Sequence, residues 1–179
     1  GRTGTPDLDE FVRRYNSNTT DISSTVDTDR YQPSNAYTND KKLVIGWSGS
    51  LTTSRFFMVL QNVLKRIAAK YDLEVLVMGD PSVKIDGVPL KAIPWTEKDE
   101  MPTLQKFDIG VYPLADEEWV YGKSGLKAIQ YMALGIPTVA TAIGANYRVI
   151  EDGISGFLVR SDDEWVHALI KLIEDASLR

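Results

Sequence analysis

The sequence predicts an open, doubly wound α/β sheet of parallel strands, Rossmann-like in design. Three observations lead there. Short apolar segments rich in branched residues alternate with stretches of helical periodicity. Neighbouring strand candidates stand about 30 residues apart, the length of one βαβ unit. Glycine, proline and small polar residues end nearly every segment. Strands of a sheet covered on both faces read as unbroken apolar runs, as these do.

Taken in order, residues 7–15 (DLDEFVRRY) form a short amphipathic helix with Leu8, Phe11, Val12 and Tyr15 on one side. Between 16 and 40, 17 of 25 residues are Asn, Ser, Thr or Asp, side chains that compete for backbone hydrogen bonds and favour turns. This reads as a lead-in and linker, not a domain. Residues 43–47 (LVIGW) are the first buried strand. A helix over 55–71 shows one face in Phe56, Leu60, Val63, Leu64 and Ile67. Residues 73–78 are the second strand, ended by Gly79-Asp80-Pro81. The segment 83–95 alternates weakly around Asp86-Gly87, as a hairpin or an edge strand. A short helix over 98–106 precedes a strand at 108–112 (DIGVY). A helix over 125–134 stops at Gly135 and Pro137, and 138–141 is a very short strand. The last helix, 161–176, opens with Ser161 and Glu164 in capping-box spacing.

Composition removes several classes of function. The chain has no cysteine and one histidine, so disulfides, iron–sulfur clusters, Cys-zinc sites and thiol catalysis are excluded. His167 lies with Asp163, Lys171 and Glu174, opposite Trp165, Leu169 and Ile173, on a solvent face. Twenty basic against 25 acidic residues give a net charge of −5, which argues against broad nucleic-acid binding. No apolar run approaches the roughly 20 residues of a membrane span, and no basic-then-apolar leader is visible. The expected location is therefore cytoplasmic. Asp27-Thr28-Asp29 reads as a turn, so no metal site and no cofactor are expected.

Sheets of this kind bind ligands at the carboxyl ends of their strands. That directs attention to the loops after Trp47, Gly79, Trp95 and Tyr112. The loop Gly46-Trp47-Ser48-Gly49-Ser50, running into Thr52, Thr53, Ser54 and Arg55, lies between a strand and a helix. Its small residues suit close approach of backbone N–H groups to a phosphate, or alternatively a plain capped turn. The run 121–130 (YGKSGLKAIQ) also enters a helix, and Lys123, Lys127 and Gln130 are spaced to share one helical face. Two ammonium groups there could neutralise a diphosphate, with N–H groups of Ser124, Gly125 and Leu126 and the amide of Gln130 nearby. Cations at a helix N-terminus oppose its dipole, a local conflict that tends to mark function. Trp95 is placed either to stack on a base or to fill the core. Asp116-Glu117-Glu118 reads as a solvated acidic loop.

The ordered series G-W-S-G-S, G-D-P, I-P-W, D-I-G-V-Y-P-L, G-K-S-G-L-K-A-I-Q-Y-M-A-L-G-I-P-T-V-A-T and I-E-D-G-I-S-G-F-L-V resembles the C-terminal half of group 1 glycosyltransferases, retaining, family 4-like enzymes of GT-B fold. The resemblance covers about residues 41–179, and residues 8–33 resemble the family's crossover into this domain. It implies that 1–40 are the end of an N-terminal domain plus linker, and that 41–179 bind a nucleotide-sugar donor. The implied donor-binding residues are Gly49, Ser50, Arg55, Trp95, Lys123, Ser124, Gly125, Leu126, Lys127 and Gln130. The acceptor, a saccharide or lipid-linked sugar, would sit on the N-terminal domain, with room for peripheral membrane contact by the full-length protein. This chain alone would then be inactive. The family's two glutamates, eight residues apart, fall on Gly122 and Gln130, so both carboxylates are missing; the first serves the donor sugar, the second the ribose. The family's lysine after the first strand has only Arg55 as a loose substitute, leaving Lys123 and Lys127 to supply the charge. The alternative is a non-catalytic nucleotide-binding or regulatory α/β domain, such as a receiver-like module or a degenerate glycosyltransferase.

Overall fold

A computed structural model describes residues 2–33 and 42–179. The expected domain boundary between 40 and 41 lies outside the described residues.

The lead-in forms a small unit of its own. Strand β1 (Arg2–Thr3) and strand β2 (Thr20–Asp21) pair in parallel, joined by helix α1 (Pro6–Arg13). Thr5 caps α1, its hydroxyl accepting from Leu8 N, and Pro6 opens the first turn where its missing N–H costs nothing. The helix turns a carboxylate inward: Asp9 is buried and accepts from Thr19 Oγ1 at 2.8 Å, Thr3 Oγ1 at 3.4 Å and Arg13 Nε at 2.6 Å. These donors, Thr19 foremost, hold its pKa below the usual carboxylate value. The apolar side anticipated from the sequence is exposed, Leu8 at 41% and Phe11 at 53%.

The main body is a six-stranded, wholly parallel sheet of β3 (Leu43–Ser48), β4 (Leu73–Met78), β5 (Leu90–Ile93), β6 (Ile109–Tyr112), β7 (Thr138–Thr141) and β8 (Phe157–Val159). Their spatial order is β5-β4-β3-β6-β7-β8, so the winding reverses between β3 and β6. Ile45, Trp47, Val75, Val77, Ile109 and Val111 face one side. There they meet helix α2 (Ser54–Phe57), the 3₁₀ turn Met58–Leu60, helix α3 (Gln61–Ala68) and helix α7 (Asp162–Glu174). Val44, Leu76 and Met78 face the other side, with Leu104 of α4 (Glu97–Leu104), Phe107 and Tyr131 of α5 (Leu126–Ala133).

Several expectations change in detail. The helix over 55–71 is three pieces in sequence, yet Phe56, Leu60, Val63, Leu64 and Ile67 are all buried, because i→i+3 bonding tightens a turn without moving its apolar face far. The segment 83–95 is no hairpin. Its turns lead into β5, which pairs in parallel with β4 at the sheet edge. Strand β8 and helix α6 (Asn146–Val149) were not anticipated; at three and four residues they are too short to show a period. The capping box of α7 forms as expected, with Ser161 Oγ accepting from Glu164 N and Glu164 Oε2 accepting from Ser161 N.

Two central strands carry glycines because rings lie against them. A Cβ on Gly46 would stand 2.0 Å from the ring of Phe107, and one on Gly110 2.5 Å from that of Tyr131. Phe107 and Tyr131 meet edge to face at 5.9 Å. Substitution Gly46→Ala is expected to cost about 1–3 kcal/mol by overpacking, measured as a lower urea midpoint at unchanged slope.

Candidate functional site

The sheet reversal leaves a crevice at the carboxyl ends of β3 and β6, and a cavity of about 890 Å³ occupies it. All four loops singled out from the sequence reach it. Ser48, Gly49, Ser50, Leu51, Thr52 and Thr53 come from the first; Gly79 and Pro81 from the second; Pro94 and Trp95 from the third; Pro113 and Leu114 from the fourth. Trp47, Phe56, Glu100, Tyr112, Lys123, Leu126, Lys127 and Gln130 complete the wall.

The first loop is held from within. A Cβ on Gly49 would stand 2.3 Å from the Trp47 ring, and one on Gly79, whose φ is +131°, would stand 2.2 Å from Gly49 O. The two strand ends therefore close on each other only without side chains. Gly49 N donates to Met78 O and Ser50 N to Thr53 Oγ1, both at 2.9 Å. The sequence suggested these N–H groups as a phosphate cradle; the fold already uses them.

Helix α5 is capped by Gly125, the residue before it, in the left-handed region at φ +73°. This glycine breaks the run 121–130, so Lys123 is not on the helix and does not share a face with Lys127 and Gln130. Lys123 is extended after the 3₁₀ turn Glu118–Gly122 and reaches the cavity by that route. Its Nζ lies 4.6 Å from the Trp119 ring centre and 5.7 Å from that of Phe56. Burial, then the neighbouring Arg55, push its pKa down. Lys127 Nζ donates to Ser48 Oγ at 3.2 Å and lies 4.0 Å from Glu100 Oε1. Burial pushes its pKa down, and Glu100 offsets part of that. Gln130 is 6% exposed; its Nε2 donates to Tyr31 OH at 2.6 Å, while Oε1 is buried without a partner.

Of the remaining expected residues, Trp95 is 48% exposed at the rim, so it is not a core residue, and Leu126 lines the wall at 39% exposure. Arg55, Ser124 and Gly125 are not brought into the cavity wall. Arg55 forms a two-pronged ion pair with Glu117 at 2.9 and 2.6 Å and lies over Phe56. The Ser124 hydroxyl meets Ser24 Oγ at 2.6 Å, on the side of α5 that faces the lead-in. Gly125 backs onto Val149 and Asn146. Helix α7 leaves His167 exposed. Sequence reasoning missed Glu100, which reads as one more acid in the first turn of α4, and Tyr112, whose hydroxyl burial pushes up to about 12.

Residues 42–175 match the family described as glycosyl transferases group 1, and the chain belongs to that family. A D-inositol 3-phosphate glycosyltransferase of Mycobacterium sp. strain KMS is 32% identical over 126 residues, 63% of this chain and 29% of that protein. One from Stackebrandtia nassauensis is 46% identical over 57 residues, 31% of this chain and 13% of the relative. The chain thus spans under a third of the length of these curated relatives. Among solved structures, HepE of Anabaena in complex with UDP-glucose superposes with a TM-score of 0.76 at 15% identity, covering 99% of this chain and 54% of that one. TarM of S. aureus, solved with UDP among its ligands, gives 0.73 at 16%, covering 99% and 37%. The C-terminal domain of a group 1 glycosyl transferase from Francisella tularensis gives 0.63 at 23%, covering 86% and 90%. The likeness shows the fold, a Rossmann-like GT-B domain. Among the described residues no helix is long and apolar enough to cross a membrane.

The first loop also hangs on Tyr131, whose buried hydroxyl accepts from Ser48 N at 2.8 Å. Substitution Tyr131→Phe would leave that N–H unpaired, at a cost of about 1–3 kcal/mol. Urea unfolding should register the loss, and amide exchange at Ser48 and Gly49 should quicken.

Proposed function

We propose that this member of the group 1 glycosyltransferases binds the nucleoside diphosphate of a nucleotide-sugar donor in the cavity at the sheet reversal. The observation that carries the reading is a pair of partly desolvated ammonium groups, Lys123 and Lys127, in one cavity of a chain whose net charge is −5. Burying cations without full counter-charge is unfavourable, and a diphosphate supplies that charge. Trp95 offers a face for the base, Gln130 an acceptor for ribose, and Leu126 with the first turn of α5 a wall beside the phosphates. Gly49 and Ser50 shape the opposite wall. HepE was solved in complex with UDP-glucose and TarM with UDP, and each contains a domain of this fold, which supports the ligand class.

The reaction is glycosyl transfer, with retention as the family resemblance implies. Positive charge grows on the sugar as the diphosphate leaves. Lys123 and Lys127 stabilise the leaving group because their charge is already in position. The acceptor, a saccharide or lipid-linked sugar, would be held by an N-terminal domain, in a cytoplasmic full-length protein with room for peripheral membrane contact. A receiver-like module is not favoured: β3 ends in Ser48-Gly49, not in an acidic pair.

Calorimetry with a panel of nucleoside diphosphates tests the reading. Each of Lys123→Ala and Lys127→Ala is expected to weaken nucleoside diphosphate binding roughly ten- to a hundredfold, and to leave the phosphate-free nucleoside unaffected. Equal effects on both ligands would remove the lysines from the diphosphate. The pH profile gives a second check. Both lysines lose their protons below the ordinary 10.5, so affinity should begin to fall at a lower pH than an unperturbed lysine would give. In Lys127→Arg, whose guanidinium stays charged, the fall should be smaller.

A further inference from the structure

Two aromatic rings and two cations share one corner of the molecule, beside the 3₁₀ turn Glu118–Gly122. Phe56 and Lys123 line the cavity, whereas Arg55, Glu117 and Trp119 stand outside its wall. The rings of Phe56 and Trp119 are 5.4 Å apart. Lys123 Nζ is 4.6 Å from the Trp119 ring centre and 5.7 Å from that of Phe56, close enough for attraction to both. Arg55 brings its Cζ to 4.7 Å from the Phe56 centre and 5.7 Å from that of Trp119. Two cations on one pair of rings repel each other. Glu117 relieves that conflict, because two guanidinium nitrogens of Arg55 donate to its carboxylate. The same carboxylate accepts from Trp119 Nε1 at 2.6 Å, a charge-assisted bond that fixes the plane of the indole.

Burial does not account for Trp119, which is 49% exposed. What its ring does is face an ammonium group. Lys123 Nζ makes no hydrogen bond and no ion pair among the described residues, so the rings are what restrain it. A lysine without such a restraint samples many rotamers. Lys127 is placed by other means, through Ser48 Oγ and the nearby Glu100, so the two cavity lysines are held independently.

We propose that Trp119 is a positioning residue: its ring, braced by Glu117, presets the Lys123 ammonium at the cavity wall for the anion that binds there. The proposal rests on the nucleotide-sugar reading of the same cavity, in which that anion is the diphosphate. The ligand meets Nζ from the cavity while the ring stays behind it, so Trp119 touches no substrate. Its contribution is to restrict Lys123 before the ligand arrives. Presetting one rotamer-rich side chain raises affinity by about two- to tenfold. Tryptophan suits the task, since its face attracts a cation most strongly among the aromatic side chains. Glu117 serves twice, as the brace of the indole and as the counter-charge that keeps Arg55 from displacing Lys123.

The test is a double-mutant cycle by calorimetry on the 179-residue chain with UDP, GDP and ADP, each beside its phosphate-free nucleoside. Four forms are compared: unaltered, Trp119→Leu, Lys123→Ala and the two substitutions together. Trp119→Leu should weaken the best-bound diphosphate by about two- to tenfold and leave its nucleoside unchanged. In the Lys123→Ala background the same substitution should change neither. Trp119→Phe, which keeps a weaker aromatic face, should lose less than Trp119→Leu. Equal losses in both backgrounds would overturn the proposal, because Trp119 would then act without Lys123; so would no loss in the unaltered background. Proton NMR of the ligand-free chain gives a readout that needs no donor. The Cε protons of Lys123 should be shifted upfield by the Trp119 ring current and return towards ordinary lysine values in Trp119→Leu. Unshifted protons in the unaltered chain would overturn the proposal and leave the ligand class of the cavity untouched. Binding of no nucleoside diphosphate, or no effect of Lys123→Ala on one, would instead overturn the donor reading at Lys123, and the proposal with it.

Discussion

The hydroxyl of Tyr131 joins helix α5 to the end of strand β3, and the cavity depends on that joint. Its ring lies fully buried against Gly110 of β6 and edge-on to Phe107, which in turn lies against Gly46 of β3. Glycines on the two central strands make room for two rings, and the rings fix how far α5 stands from the sheet. Ser48 N donates to the Tyr131 hydroxyl, while one turn earlier on the same helix Lys127 reaches Ser48 Oγ. Backbone and side chain of one serine thus bind two residues of one helix. Lys127 and Gln130 occupy their places in the wall because Tyr131 occupies its own.

Charge is distributed so that cations near the cavity are not equivalent. Arg55 is neutralised by Glu117, which also accepts from Trp119 Nε1 at 2.6 Å. That network holds Trp119 beside Phe56 at 5.4 Å, and Lys123 rests on both rings. An exposed pair of this sort adds little stability. Its effect is geometric: it keeps Arg55 out of the cavity and gives Lys123 an aromatic seat whose attraction is weaker than that of an anion.

Much of this was legible in the sequence. The parallel sheet follows from unbroken apolar runs, and its carboxyl edge follows from that, so the four loops around the cavity could be named beforehand. The residues of helical period, Phe56, Leu60, Val63, Leu64 and Ile67, were buried as their spacing required. What could not be read turned on single backbone conformations and distant partners. The run 121–130 has the spacing of one helix, and only the left-handed Gly125 divides it. Arg55 sits where a phosphate ligand would, and its true partner is 62 residues away. Glu100 is hidden among Glu97 and Asp99, acids that favour a helix start on dipole grounds alone.

The lead-in does more than precede the sheet. Ser24 meets Ser124 across 100 residues, Tyr31 meets Gln130 across 99, and Asp21 accepts from Arg148 across 127. Contacts this remote along the chain span further than any strand pairing of the main sheet, whose most distant partners are β3 and β6. Without the lead-in Gln130 would lose its Tyr31 partner and Glu100 its Arg30 neighbour, while the six-stranded sheet would keep every strand pairing. The sheet and the lip of its cavity are therefore held by separate sets of contacts.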